Sequence, residues 1–289
     1  MRYSIRTRLV AYAYLIRLDK PIGTLLLLWP TYWALWLASG GLPQWSILLI
    51  FTLGTFLMRS AGCAVNDYAD QDFDRHVQRT KNRPVTSGKI SGKEALGIAI
   101  TLASLAFALV QSLNFLTKAL SVCAVLIALV YPFTKRFLAI PQAVLGIAFG
   151  FGIPMAYAAV LNFIPLEAWI LLIGNIFWTI AYDTAYAMVD RDDDLRLGLR
   201  TSAITFGRFE VLAIAGSYGI LFLSQLLVAY LVNLSNYFYI GWVAAVICAI
   251  YQLKLVATRE REACFRAFQH GNWLGGFLFL GIVLGLAVT

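Results

Sequence analysis

The sequence predicts an all-α, polytopic membrane protein with nine transmembrane helices and a cytoplasmic N-terminus. Three observations carry this. The 289 residues are 60% hydrophobic and only 13% charged, whereas a soluble domain is roughly half apolar and a quarter charged. Apolar runs of spanning length, roughly 17–25 residues, recur nine times. The loops between these runs alternate between basic and charge-poor.

Region 1–20 carries Arg2, Arg6, Arg8, Arg17 and Lys20. It has no apolar core with a small-residue cleavage site, so it reads as a cytoplasmic amphipathic helix, not a signal peptide. Spans follow at about 22–39 and 45–64, joined by a loop, 40–44, without Lys or Arg. Region 65–94 is basic, with Arg75, Arg79, Lys81, Arg83, Lys89 and Lys93. The third and fourth spans, about 95–113 and 116–133, meet at 114–115, with only Lys118 nearby. Lys135 and Arg136 precede the fifth span, about 141–161, and the neutral loop 162–164 leads to the sixth, about 165–188. Region 189–209 is basic again (Arg191, Arg196, Arg200, Arg208). The last spans, about 210–231, 236–256 and 270–288, are separated by neutral 232–235 and by 254–269, with Lys254, Arg259, Arg261 and Arg266.

With Arg59 at the end of the second span, 22 of the 23 basic residues fall on one side. The positive-inside rule makes that side the cytoplasm. Topology therefore accounts for the net charge of +8 without nucleic acid as a partner. No domain-sized soluble insert interrupts the chain, which reads as one membrane domain over 1–289. Cys63, Cys123, Cys248 and Cys264 are scattered without CxxC spacing and read as buried free thiols. His76 and His270 read as loop or interface residues, too few for zinc.

The anomaly is acid in a greasy chain. Nine of the fifteen acidic residues lie in two windows, "AGCAVNDYADQDFDRHVQRTKNRP" after the second span and "AYDTAYAMVDRDDDLRLGLRTSA" around the end of the sixth. Both even-numbered spans end on the cytoplasmic side. Asn66, Asp70 and Asp74 stand at i, i+4, i+8; Asp190 and Asp194 stand at i, i+4, with Asp183 seven residues earlier. On continuing helices each set shares one face. Stacked carboxylates repel one another unless a cation intervenes. Hard oxygen donors without His or Cys suit Mg²⁺, which keeps waters and prefers substrate phosphates to all-protein cages. Arg and Lys beside the clusters suit the remaining phosphate oxygens. A solvated loop explains any one of these aspartates, and Asp67, Asp72, Asp192 and Asp193 are left with that explanation.

"NDYADQDFD" fits N-D-x-x-D-x-x-x-D and "DRDDD" fits D-x-x-x-D. Together they resemble the UbiA superfamily of intramembrane prenyltransferases. "RLDKPIGTLLLLWPTYWAL", "RSAGCAVNDYAD", "RTKNRPVTSGKI", "YPFTKR" and "AYDTAYAMVDRDDD" resemble its branch acting on 4-hydroxybenzoate in bacterial ubiquinone biosynthesis. The resemblance covers nearly the whole chain. It implies nine helices around a central cavity in the bacterial inner membrane, with the active site facing the cytoplasm. It implies Mg²⁺ as cofactor, and polyprenyl diphosphate and 4-hydroxybenzoate as substrates. The prenyl group goes to the ring carbon ortho to the hydroxyl, and diphosphate is released. By motif position Asn66, Asp70 and Asp74 belong to the first metal motif, and Asp190 and Asp194 to the second, where Asp192 and Asp193 are rivals in register. Arg83, Tyr131 and Lys135 match positions near the diphosphate.

Metal ions with Lys and Arg clamps neutralise a departing diphosphate, and a membrane cavity keeps water from the allylic cation. Asp183, inside a span, is either a helper for the phenol or the leaving proton or a buried residue bonded to Tyr or Thr neighbours. Arg17, Lys20, Arg59 and Arg136 are the cations available to the acceptor carboxylate, each with the alternative of an interfacial anchor. Three readings outside this branch are weaker. Another acceptor within the superfamily (haem, a naphthoate, a chlorophyllide or a glyceryl phosphate) is opposed by the flanking strings. A transporter would place its acidic site near the bilayer midplane on broken helices. A phosphatidyltransferase would carry D-G-x-x-A-R, which is absent.

Overall fold

The computed structural model describes residues 5–76, 80–134 and 137–287, with side chains from Arg6 onward. Lys135 and Arg136 lie outside the described residues, as do Arg2 and Arg79 of the basic loops. The elements are α1 (Ile5–Leu15), α2 (Ile22–Ser39), α3 (Trp45–Ala69), α4 (Gln71–Asp74), α5 (Gly92–Val110), α6 (Phe115–Thr134), α7 (Pro141–Gly150), α8 (Gly152–Leu161), α9 (Leu166–Leu197), α10 (Ser202–Phe206), α11 (Glu210–Leu231), α12 (Phe238–Ala257) and α13 (Arg261–Ala287). Among the described residues nine helical segments are long and apolar enough to cross a membrane, α7–α8 and α10–α11 each counting as one.

The count matches the sequence reading, but several helices run further than hydropathy drew them. The second span continues to Ala69 and the sixth to Leu197. Polar residues at helical spacing do not break a helix. α9 stops where Gly198 takes a left-handed conformation (φ 67°); its N–H donates to the Leu195 carbonyl and the Leu199 N–H to the Asp194 carbonyl. At 32 residues and about 1.5 Å per residue, α9 exceeds the roughly 30 Å hydrocarbon core, so its last turns stand outside it. α13 begins at Arg261, nine residues before the expected start. α5 opens on a capping box: Ser91 Oγ accepts from the Glu94 amide at 3.2 Å. The seam between α7 and α8 follows from Pro154, which has no N–H to offer the Gly150 carbonyl.

α1 corrects the expectation of an amphipathic helix. Its apolar residues are not segregated: Ala11 and Leu15 are buried, while Leu9, Val10 and Tyr14 are exposed. The buried pair closes a small cluster with Ala61, Ala64, Val85, Ile90, Ala95 and Ala99. Cys123 is exposed, unlike the other three cysteines. His270 sits within α13, half-buried, its Nδ1 3.3 Å from Gln252 Nε2 on α12.

The main core joins α2, α8, α9, α11, α12 and α13 around Trp33, Trp178, Tyr157, Tyr182, Leu221 and Phe238. α5 and α6 keep most of their apolar side chains outward, as lipid-facing helices do. α12 and α13 are in the closest contact. A Cβ on Gly241 would stand 2.3 Å from the Gly281 nitrogen and the Phe277 carbonyl oxygen, atoms that cannot swing aside. Gly241→Ala is therefore expected to destabilise the protein by about 1–3 kcal/mol, seen as a lower Tm in detergent. Gly97→Ala on exposed α5, where a Cβ meets nothing within 4 Å, is expected to leave the Tm unchanged or slightly higher.

Candidate active site

The first acidic set is built at the end of α3. The helix ends at Ala69 and Asp70 departs from helical geometry (φ −101°, ψ 1°). The i→i−4 bonding nevertheless carries through: the Asp70 amide donates to the Asn66 carbonyl at 3.0 Å and the Asp74 amide to the Asp70 carbonyl at 2.8 Å. Asn66, Asp70 and Asp74 thus remain stacked on one face. On unbroken α9, Asp183, Tyr186, Asp190 and Asp194 share a face likewise.

The two faces meet. A cavity of about 1230 Å³ is lined by Asn66, Asp70 and Asp74 from one side and Asp183, Asp190 and Asp194 from the other. Arg17, Arg83 and Tyr131 line it as well. Asp70, Asp74 and Asp190 are buried. The register of the second motif follows from the helix: Asp190 and Asp194 face the cavity, Asp192 is exposed, and Asp193 pairs with Arg261 at 3.2 Å. Asp72 is exposed too.

Asp67 departs from expectation. It is no solvated loop residue but is completely buried on the cavity wall. Its Oδ1 accepts from Arg17 Nη2 at 2.7 Å and lies 3.4 Å from Arg83 Nη1, which donates to Asp74 Oδ2 at 2.7 Å. Arg83 is held by a turn in which its amide donates to the Thr80 carbonyl at 2.9 Å, while Thr80 Oγ1 donates to the Asp74 carbonyl at 3.2 Å. Lys135 cannot be positioned, being outside the described residues.

Arg59 also lines the cavity. One helical turn from Cys63, it donates to that sulfur at 2.8 Å and lies 5.8 Å from the Phe149 ring centre. Its Nε is buried without a hydrogen-bond partner. Gly23 makes room for it, since a Cβ there would meet the guanidinium at 2.5 Å. The N-terminal turns of α13 add Arg261, Glu262, Phe265 and Phe268 to the wall. They were missed because the last span was expected to begin later. Tyr186 and Phe268 stack at 4.4 Å between centroids, beside Phe265 and Tyr182.

Away from the acids the lining is apolar, with Ala103, Ala106, Ala124 and Ala128 beside larger Phe107, Leu145 and Phe149. The arrangement offers oxygen donors and guanidinium groups at one end and room for a hydrocarbon chain at the other. Among the described residues no three His, Cys, Asp or Glu side chains are grouped to hold a metal by themselves. Five hard oxygen donors lining one cavity fit a divalent cation whose shell is completed by water and phosphate oxygens.

The model of the UbiA prenyltransferase family matches residues 27–283. The chain belongs to the UbiA prenyltransferase family. It is 78% identical over 285 residues, 99% of both chains, to the 4-hydroxybenzoate octaprenyltransferase of Polynucleobacter asymbioticus. It is 60% identical to the protein of that name from Paraburkholderia phytofirmans, over 95% of this chain and 96% of the relative. The same fold occurs in a UbiA homologue from Aeropyrum pernix (TM-score 0.79, 23% identity, 90% of this chain and 96% of that one). It occurs again in one from Archaeoglobus fulgidus bound to GPP and Mg²⁺ (TM-score 0.70, 17% identity, 94% and 99%).

For this UbiA-family chain, Asp70→Ala and Asp190→Ala are each expected to abolish prenyl transfer by membranes while insertion stays intact. Asp72→Ala and Asp192→Ala, outside the cavity, are expected to keep activity within about twofold.

Proposed function

We propose that this protein transfers a polyprenyl group, of octaprenyl length, from its diphosphate to 4-hydroxybenzoate in bacterial ubiquinone biosynthesis. The observation that carries the reading is one cavity that combines acid and guanidinium groups with an extended apolar wall. The 60–78% identity over nearly the full length to relatives named for this reaction supports the acceptor and the donor. We further propose that the protein acts as one domain of the inner membrane, N-terminus inside, with the charged end of the cavity facing the cytoplasm. The one-sided distribution of Lys and Arg supports that orientation.

Asn66, Asp70, Asp74, Asp190 and Asp194 would hold Mg²⁺, which when bound supplies positive charge to the departing diphosphate. Arg83 and Tyr131, with Lys135, hold the diphosphate oxygens. The allylic carbon–oxygen bond breaks with its electron pair going to the diphosphate. The ring carbon ortho to the hydroxyl forms the new bond to the allylic carbon, and its proton leaves to Asp183 on the cavity wall. Apolar walls from α5, α6 and α7 exclude the water that would otherwise capture the cation. The aromatic wall of Tyr182, Tyr186 and Phe268 presents π faces to the same region.

Arg59 is assigned to the acceptor carboxylate. Its guanidinium donates to a thiol, lies beside a ring and makes no ion pair among the described residues, whereas Arg17 is engaged by Asp67. A half-buried guanidinium without a carboxylate partner is a strong site for an anion.

Membranes containing the protein, labelled 4-hydroxybenzoate and octaprenyl diphosphate are expected to form labelled lipid-soluble product with Mg²⁺ and none with excess EDTA. Absence of product with Mg²⁺, from folded protein, would refute the assignment. Arg59→Gln is expected to raise KM for 4-hydroxybenzoate roughly ten- to hundredfold, the worth of a charged hydrogen bond, with little change in KM for the diphosphate. Equal change in both would remove Arg59 from that role.

A further inference from the structure

We propose that Asp67 is a positioning residue: by anchoring the Arg83 guanidinium it keeps Asp74 available to the divalent cation. The proposal rests on the cation–diphosphate reading of this cavity. Arg83 Nη1 bridges two carboxylates, Asp74 at 2.7 Å and Asp67 at 3.4 Å. One of the two Asp74 carboxylate oxygens, Oδ2, is therefore held by an arginine. For Asp74 to turn to the cation, Arg83 must find its counter-charge elsewhere. Diphosphate oxygens supply part of it, and Asp67 supplies the rest without moving.

Three features of Asp67 suit this task. Its side chain is 0% exposed, in the last turn of α3, whereas Arg83 and Arg17 keep 21% and 18% of theirs open toward the cavity. The carboxylate is the fixed member and the guanidinium groups are the adjustable ones. Its Oδ1 serves both arginines while Oδ2 is buried with no hydrogen-bond partner. A carboxylate kept only to hold helices together is poorly placed there, because a buried charge costs more to desolvate than a neutral residue filling the same space. Finally, Arg17 adopts a left-handed backbone (φ 58°), which is strained for a residue with a side chain. Its pairing with Asp67 fixes that turn at the cavity mouth. If Asp67 loses its charge, the carboxylate that remains within ion-pair distance of Arg83 is Asp74. Arg83 then becomes the cation's competitor.

The consequence is an effect of Asp67 on metal affinity that vanishes without Arg83. Purified protein is titrated with Mn²⁺ in the presence of inorganic diphosphate, and free Mn²⁺ is read by electron paramagnetic resonance. Parent, Asp67→Asn, Arg83→Gln and the double variant form a thermodynamic cycle. Asp67→Asn is expected to weaken Mn²⁺ binding about tenfold alone and less than twofold in the Arg83→Gln background. The same loss in both backgrounds, or none in either, overturns the proposal, since a ligand or a structural prop would act independently of Arg83. Asp67→Glu, which keeps the charge, is expected to bind within about threefold of the parent. If the asparagine variant does not fold, a tenfold loss by Asp67→Glu that persists without Arg83 overturns the idea by itself. A parent that binds no Mn²⁺ refutes the cation reading as a whole. An intact cycle without transfer to 4-hydroxybenzoate refutes only the acceptor.

Discussion

The fold is organised around a repulsion. Two helices, α3 and α9, bring acidic faces into one cavity at the edge of a hydrocarbon environment, where water can do little to screen them. Like charges a few ångströms apart in such surroundings oppose each other by several kcal/mol. The structure answers with guanidinium groups rather than by separating the helices. Arg83 bridges Asp67 and Asp74, Arg17 holds Asp67, and Arg261 takes Asp193 just outside. An arrangement that tolerates this much negative charge at rest is prepared for a positively charged visitor.

The helix that carries the second acidic set, α9, is also the most buried of the described spans. It is buried along most of its length and packs against α7, α11 and α13. Asn175 on α9 donates to the Gly146 carbonyl at 3.0 Å, tying it to α7. Its far end is held from the side, because Arg261 donates to the Val189 carbonyl at 2.6 Å and Arg191 lies 4.0 Å from buried Glu210 of α11. These contacts sit one residue from Asp190. α5 packs along α3, and α6 meets α7, α8 and α3; both offer alanines to the cavity. A charged end and an apolar end in one cavity suit a substrate with a defined headgroup and a long featureless tail.

Much of this was legible in the residues. Hydropathy and the alternation of basic and neutral loops determined nine spans, because both are set by the bilayer, a constraint that acts on each segment alone. The spacing of Asn66, Asp70 and Asp74, and of Asp190 and Asp194, determined two acidic faces, because helical periodicity is local. The family followed from the motifs. What spacing could not decide was which member of a charge-rich string looks inward. Asp67 lies beside Asn66 and its environment comes from Arg17, fifty residues earlier, and Arg83, sixteen later. Arg59 looked like an anchor at a helix end until Cys63, Phe149 and Gly23 were seen to enclose it. The contribution of α13 depended on Arg261 meeting Asp193 across the bundle. Sequence alone thus determined the elements and their chemistry, since these rest on nearest neighbours and on the membrane. Tertiary structure decided the partners, since the energy of a buried charge is set by whatever the fold brings within a few ångströms of it.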